Sequence, residues 1–192
     1  AKKAVVRELT LTFNFIRKEC WTVNSNFKII KIDSDYCDYL RKFDKRVCFN
    51  AGVKDLRPFI GVLFIVEGHE YYAPLSSPKP KHKHLKNTLD LVKIDNGRLG
   101  VVNLNNMIPV NENCYVVFDL NKKPNSVTEK NRIELLTNQL DYLNLHKNLI
   151  ISKSKRLYKL RVKNILPTNV IDRCCDYKLL EEKCKEYSKV TN

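Results

Sequence analysis

The spacing of hydrophobic positions changes partway along this chain. From Leu9 to Phe15 apolar and polar residues alternate, with Leu9, Leu11, Phe13 and Phe15 on one face and Thr10, Thr12 and Asn14 on the other. That period of two predicts a half-buried strand within residues 1–16. After a turn at Asn24-Ser25-Asn26, residues 27–32 read as a second short strand. Ser34 stands at a cap position ahead of Tyr36, Cys37, Leu40 and Phe43, which recur at helical spacing. Residues 57–66 are apolar nearly throughout and read as a central strand covered on both faces. Glu67-Gly68-His69 turns the chain, and residues 71–75 return antiparallel. Further strands are expected at 89–94, 99–104, 107–110 and 114–120, as a continuing antiparallel meander.

Beyond Pro124 the period becomes helical. Ser126-Val127-Thr128-Glu129 has the spacing of a capping box. It opens a long amphipathic helix with Ile133, Leu136, Leu140 and Leu143 on one stripe. Residues 152–163 are expected to be helical with Leu157 and Leu160 inward, and Pro167 ends that run. A last helix is expected over 176–188, with Leu180, Cys184 and Tyr187 on its inner face. Strands first and helices after is the order of an α+β fold in one domain. A chain of 192 residues buries roughly 70% of its unfolded surface without staples. The seven cysteines agree: their number is odd, they contain no C-x-x-C pair, and they read as buried free thiols rather than disulfides or zinc ligands. With no apolar run near the roughly 18 residues of a membrane span, and no signal-peptide pattern at the start, a cytoplasmic protein is expected.

Charge adds a partner. Thirty-five Lys and Arg against 21 Asp and Glu give a formal net charge of +14, which points to nucleic acid. The excess is clustered. One cluster is Lys79, Lys81, Lys83 and Lys86, with His82 and His84 among them; the other is Lys153, Lys155, Arg156, Lys159, Arg161 and Lys163, with no acid between. Clusters of this kind suit a phosphate track, and Lys81, Lys83, Lys86, Lys153, Lys155, Arg156 and Lys159 are its candidate RNA-binding residues.

The first cluster follows two hydroxyls, Ser76 and Ser77, and a proline, at the end of an expected strand. The hairpin brings Arg57 from the start of the partner strand to that same end. Ribonucleases that work without a metal use the RNA's own 2′-hydroxyl as nucleophile. The protein then has to hold the phosphate, stabilise added charge on phosphorus, and protonate the leaving 5′-oxygen. Arg57 can supply a planar fork to two phosphate oxygens. Ser76 and Ser77 can donate hydrogen bonds, Lys79 can hold charge or give a proton, and His82 titrates in the range for acid or base work. Asp119 and Glu129 have no carboxylate partner at informative spacing, so neither a metal nor another cofactor is expected. His69 and His146 read as structural. From these residues alone, a ribonuclease and a non-catalytic RNA-binding protein stand level. A DNA-binding regulator fits worse, since helix-turn-helix spacing and a dimer heptad are both lacking.

At these same residues the chain resembles the toxin endoribonucleases of type III toxin–antitoxin systems, the ToxN/AbiQ family. The resemblance rests on R-P-F-I-G-V-L at 57–63, G-H-E-Y-Y-A-P-L-S-S-P-K at 68–79 and L-G-V-V-N-L-N-N-M-I-P-V at 99–110. Weaker pieces are S-K-S at 152–154 and L-L-E-E-K at 179–183. It implies a strongly twisted antiparallel sheet of about six strands surrounded by helices. It also implies metal-independent cleavage to a 2′,3′-cyclic phosphate, and inhibition by a repeat RNA pseudoknot that the toxin itself processes and binds in a closed protein–RNA assembly. Phage defence by abortive infection follows in several members. By position Ser77 matches the family's key hydroxyl, Ser76 a neighbouring position where threonine is frequent, Lys79 the lysine after the proline, and Arg57 a basic residue before the F-I-G strand. The toxin domain is then 27–192, and residues 1–26 form an N-terminal extension expected to add a strand.

Overall fold

The computed structural model describes residues 25–49 and 57–187. The strand expected at 1–16 lies outside them. The first described strand, β1 (Lys28–Ile32), falls within the short strand expected at 27–32, and α1 (Ser34–Phe43) follows at once. The cap of α1 is Asp33 rather than Ser34: the Asp33 carboxylate accepts a hydrogen bond from the Asp35 amide. A carboxylate at a helix start also meets the positive end of the helix dipole.

The long apolar run splits. It forms β2 (Pro58–Gly61) and β3 (Ile65–Val66), with Val62 to Phe64 leaving the regular ladder between them. Both pieces pair antiparallel with β4 (His69–Ser76), around a two-residue turn at Glu67 and Gly68, both of positive φ. β4 is the hub of the sheet. Its first half also pairs with β7 (Ile108–Val110) and its last two residues with β6 (Gly100–Asn103). Pro74 falls between those two stretches, where neither ladder calls on the N–H it lacks.

With β5 (Leu91–Ile94) and β8 (Tyr115–Val117), the sheet has eight strands among the described residues rather than about six; six run in the order β5-β6-β4-β2-β1-β8, and β3 and β7 pair with β4 off that path. The expected meander fails at β4, which pairs with β6 while β5 lies outside β6 at the edge, and fails again beyond β6. β7 returns to β4, and β8 crosses to pair with β1, Ile30 opposite Val117. The chain is α+β as expected.

The capping box forms, with Ser126 accepting from the Glu129 amide, and α3 (Val127–Leu145) follows. This helix touches β1 near one edge of the sheet and β5 at the other. Its buried residues are Leu136, Gln139 and Leu143, while Ile133 and Leu140 are half-buried. The apolar stripe is thus turned so that a glutamine takes an inner position. α4 (Lys147–Val162) begins five residues before the basic segment and buries Leu157 as expected, with Leu160 half-buried. A short α5 (Thr168–Ile171) follows Pro167, and α6 (Tyr177–Glu186) packs on β7 and α1. The inner residues of α6 include Glu181, whose carboxylate accepts from the Tyr71 and Tyr158 hydroxyls at 2.8 and 2.6 Å and from Lys178 at 2.9 Å. That buried network ties β4, α4 and α6 together, and a fully partnered buried carboxylate fixes their relative position. Of the six described cysteines all are free and all but Cys48 are buried.

Candidate active site

β4 runs buried from Tyr71 to Leu75 and surfaces at its end: Ser76 is half-buried and Ser77 exposed. β2 pairs Phe59 with Pro74. Continuing that register by two residues sets Arg57 opposite Ser76. The hairpin therefore does what its sequence predicts, bringing cation and hydroxyls to one end of the sheet.

β6 supports this end from the other side. Ser76 pairs with Val101, and the Asn103 side-chain amide donates to Ser76 Oγ at 2.9 Å. An oxygen that accepts from Asn103 keeps its own O–H to donate elsewhere. Gly100, at φ +105°, lies under the Ser76–Ser77 backbone so closely that a Cβ there would collide with the Ser76 carbonyl oxygen. The next segment is held in the same way. Residues 80–84 form one helical turn, α2 (Pro80–His84), with Lys79 at its cap position and Pro80 first in the helix. A Cβ at Gly97 would come within 2.6 Å of the His82 carbonyl oxygen. The turn between β5 and β6 thus cradles both ends of the hydroxyl-and-lysine segment.

Arg57, Ser76, Ser77 and Lys79 line one cavity of about 400 Å³. Its other wall is α3, through Arg132, Leu135 and Gln139. Burial lowers the pKa of Arg132, whose guanidinium carbon stands 5.1 Å from the centroid of the Phe118 ring. Among the described residues of the lining, three are cations, two carry hydroxyls and none is a carboxylate. Such a lining suits an anion: hydrogen-bond donors are preset around the space, and no carboxylate among the described lining residues competes. Arg132 and Gln139 could not be picked out of the sequence. They sit among polar residues of an amphipathic helix, and nothing local says which of those the sheet end will face.

His82 does not line the cavity. Its ring is buried beneath α2, its Nδ1 finds no protein partner, and burial, with Lys79 and Lys81 nearby, lowers its pKa. His69 is likewise buried, and His146 stacks on Tyr142 at a helix junction.

Lys81, Lys83, Lys86, Arg156 and Lys159 are exposed, and Lys153 and Lys155 half-buried. None of the seven lines the cavity. The two clusters nevertheless meet at β5. Lys93 of that strand donates to the Lys83 carbonyl at 2.8 Å, and Lys153 donates to the Leu91 carbonyl at 3.0 Å. Basic side chains some seventy residues apart therefore flank one edge strand. Burial lowers the pKa of Lys153, and burial and Lys159 lower that of Lys155.

Residues 28–185 match the family model described as toxin ToxN of type III toxin–antitoxin systems. The chain belongs to this family. It is 33% identical over 172 residues to an endoribonuclease ToxN of Bacillus thuringiensis subsp. kurstaki, a match covering 88% of each chain. A solved structure concerned with selective inhibition of a type III toxin by a non-coding RNA pseudoknot superposes with a TM-score of 0.73. It is 31% identical and covers 85% of this chain and 98% of its own. The structure of AbiQ, a lactococcal anti-phage endoribonuclease of the same system type, gives 0.72 at 25% identity, over 85% and 98%. In this ToxN-family chain the resembling stretches have a common place. R-P-F-I-G starts the Arg57 wall, A-P-L-S-S-P-K ends β4 at the cavity, and L-G-V-V-N carries Gly100 and Asn103 beneath it.

Proposed function

We propose that this chain is the endoribonuclease toxin of a type III toxin–antitoxin pair and that the cavity at the end of β4 is where it cuts RNA. The observation that carries the reading is the convergence of Arg57, Ser76, Ser77 and Lys79 on one cavity free of carboxylates among its described lining residues. The reaction is a transesterification. The 2′-oxygen attacks phosphorus, the bond from phosphorus to the 5′-oxygen breaks, and a 2′,3′-cyclic phosphate and a 5′-hydroxyl result. The proton lost from the 2′-hydroxyl and the proton gained by the 5′-oxygen balance, and no water is consumed.

Arg57 holds two phosphate oxygens through its fork. Ser77 and Ser76 donate to the oxygens that gain charge as phosphorus becomes five-coordinate, Ser76 being oriented by Asn103. Lys79 faces the leaving oxygen and offsets its charge or protonates it. Arg132 adds a second planar cation from α3. The RNA on either side of the cut follows the basic surface around β5, through Lys81, Lys83, Lys86, Lys153, Lys155, Arg156 and Lys159. A structured antitoxin RNA occupies the same surface, processed by the toxin and held in a closed protein–RNA assembly. A solved relative is described as selectively inhibited by an RNA pseudoknot, and another as anti-phage. By that analogy this chain acts in the cytoplasm against phage. No helix among the described residues is long and apolar enough to cross a membrane.

Ser77→Ala tests the reading. It is expected to lower RNA cleavage by on the order of 10²–10³, to relieve growth inhibition, and to leave RNA affinity nearly intact. Parallel loss of cleavage and affinity would instead favour a plain RNA-binding protein whose fold the substitution damages. A short tandem repeat followed by a terminator upstream of the gene would supply the antitoxin.

A further inference from the structure

Gln139 is the odd member of the cavity. It sits in the middle of α3, is 1% exposed, and lines the same space as Ser76 and Ser77. Its Nε2 donates to the Leu99 carbonyl oxygen at 2.6 Å, which settles the orientation of the amide. The other end, Oε1, is buried and has no protein hydrogen-bond partner. A buried acceptor left unsatisfied costs about 1–3 kcal/mol, so a polar residue in this position calls for a partner that the chain does not supply.

The chemistry of the lining says what that partner is. Arg57, Lys79 and Arg132 only donate, and Ser76 and Ser77 have phosphate oxygens to serve. A phosphodiester offers acceptors alone. A ribonucleotide, however, carries one donor next to its phosphate: the 2′-hydroxyl, whose oxygen stands about 3–3.5 Å from phosphorus in a near-attack arrangement. Any base donor lies further away. Among the described lining side chains, Gln139 Oε1 is the one oxygen that can only accept.

We infer that Gln139 accepts the hydrogen bond of the RNA 2′-hydroxyl at the cleavage site, and that this bond both turns the nucleophile toward phosphorus and lets the cavity tell RNA from DNA. The inference rests on the cavity being the cleavage site. An amide is too weak a base to keep the proton, so Gln139 holds the hydroxyl and does not deprotonate it. Leu99, next to Gly100, is the anchor, which couples the acceptor to the same turn that seats Ser76 and Ser77.

The test uses the full chain carrying Ser77→Ala, and an RNA cut by the unsubstituted protein at a mapped bond. Equilibrium affinity is measured for that RNA and for the same RNA with a single 2′-deoxy nucleotide on the 5′ side of that bond. With Gln139 present, the ribose form should bind about two- to tenfold tighter, the range of one neutral hydrogen bond. Adding Gln139→Leu, or Gln139→Met where leucine lowers the melting temperature, should bring the ratio to about one. A purely structural role would weaken both RNAs alike and keep the ratio; that result, or a ratio near one with Gln139 intact, overturns the assignment. If Ser77→Ala still cleaves at the normal rate, the cavity itself has been misread and the Gln139 inference goes with it. Loss of cleavage with a ratio indifferent to Gln139 refutes the inference alone.

Discussion

The Ser76–Ser77 backbone is held by what lies beneath it. Gly100 allows β6 to pass under the Ser76–Ser77 backbone, with a φ of +105° that side chains avoid. Gly68 shares the second property and lacks the first: its φ is +83°, and a Cβ there would meet nothing within 4 Å. The pair separates strain from collision. Gly68→Ala is expected to cost about 1–3 kcal/mol of stability, a fall in melting temperature of a few degrees, with cleavage unchanged. Gly100→Ala is expected to displace the two serines and lower cleavage by on the order of 10² at temperatures where the protein stays folded. Melting curves and cleavage rates on the same two variants check this. Equal cleavage by both would mean that the serine backbone need not be held where Gly100 holds it.

Two buried carboxylates anchor the C-terminal segments to the β-rich part. Asp44, just past α1, accepts from Arg46 and from the Asp176 amide that opens α6, at 2.8 and 2.7 Å. Asp90, just before β5, is held by Arg173 through both oxygens, at 2.6 and 3.2 Å. Burial pushes both pKa values up, but the hydrogen bonds from Arg46 and the Asp176 amide, and from Arg173, more than offset it, so both lie below the ordinary value. A carboxyl with a depressed folded-state pKa stabilises the fold fully above its unfolded value of about 3.9 and ceases to as pH falls through the folded value. Melting temperature should therefore drop as the solution is acidified below about pH 4, and Asp90→Asn should flatten part of that drop while lowering stability at pH 7. An acid limb unchanged by Asp90→Asn would remove this pair from the linkage.

At the scale of the molecule, the two basic clusters meet at β5. If RNA follows that surface, affinity should fall linearly with the logarithm of salt concentration. Lys81→Ala and Lys159→Ala, one from each cluster and both exposed, should each reduce the slope by about one while leaving the rate of a bound substrate nearly unchanged. Lys153, half-buried and bonded to the Leu91 carbonyl, should change the slope less. Filter binding over a salt series measures both, and an unaltered slope in Lys159→Ala would take α4 out of the RNA track.

The sequence alone carries whatever depends on neighbours in the chain. A continuous apolar run and the turn signal at Glu67-Gly68-His69 announce the β3–β4 hairpin. Antiparallel geometry then brings Arg57 to Ser76, and the capping box starts α3 at Ser126. Clustered lysines announce an anionic partner before any coordinate is known. What the sequence does not carry are the pairings made at long range: β8 beside β1, and β6 and β7 both on β4. It likewise leaves open that α3 walls the cavity, bringing Arg132 and Gln139 into it, and that His82 is buried. Local preference decides which residues become strand or helix, because it depends on side chains a few positions apart. Which surface covers which is decided by the burial of the whole chain at once, and a polar residue on an amphipathic helix looks the same in sequence whether it ends facing water or a phosphate.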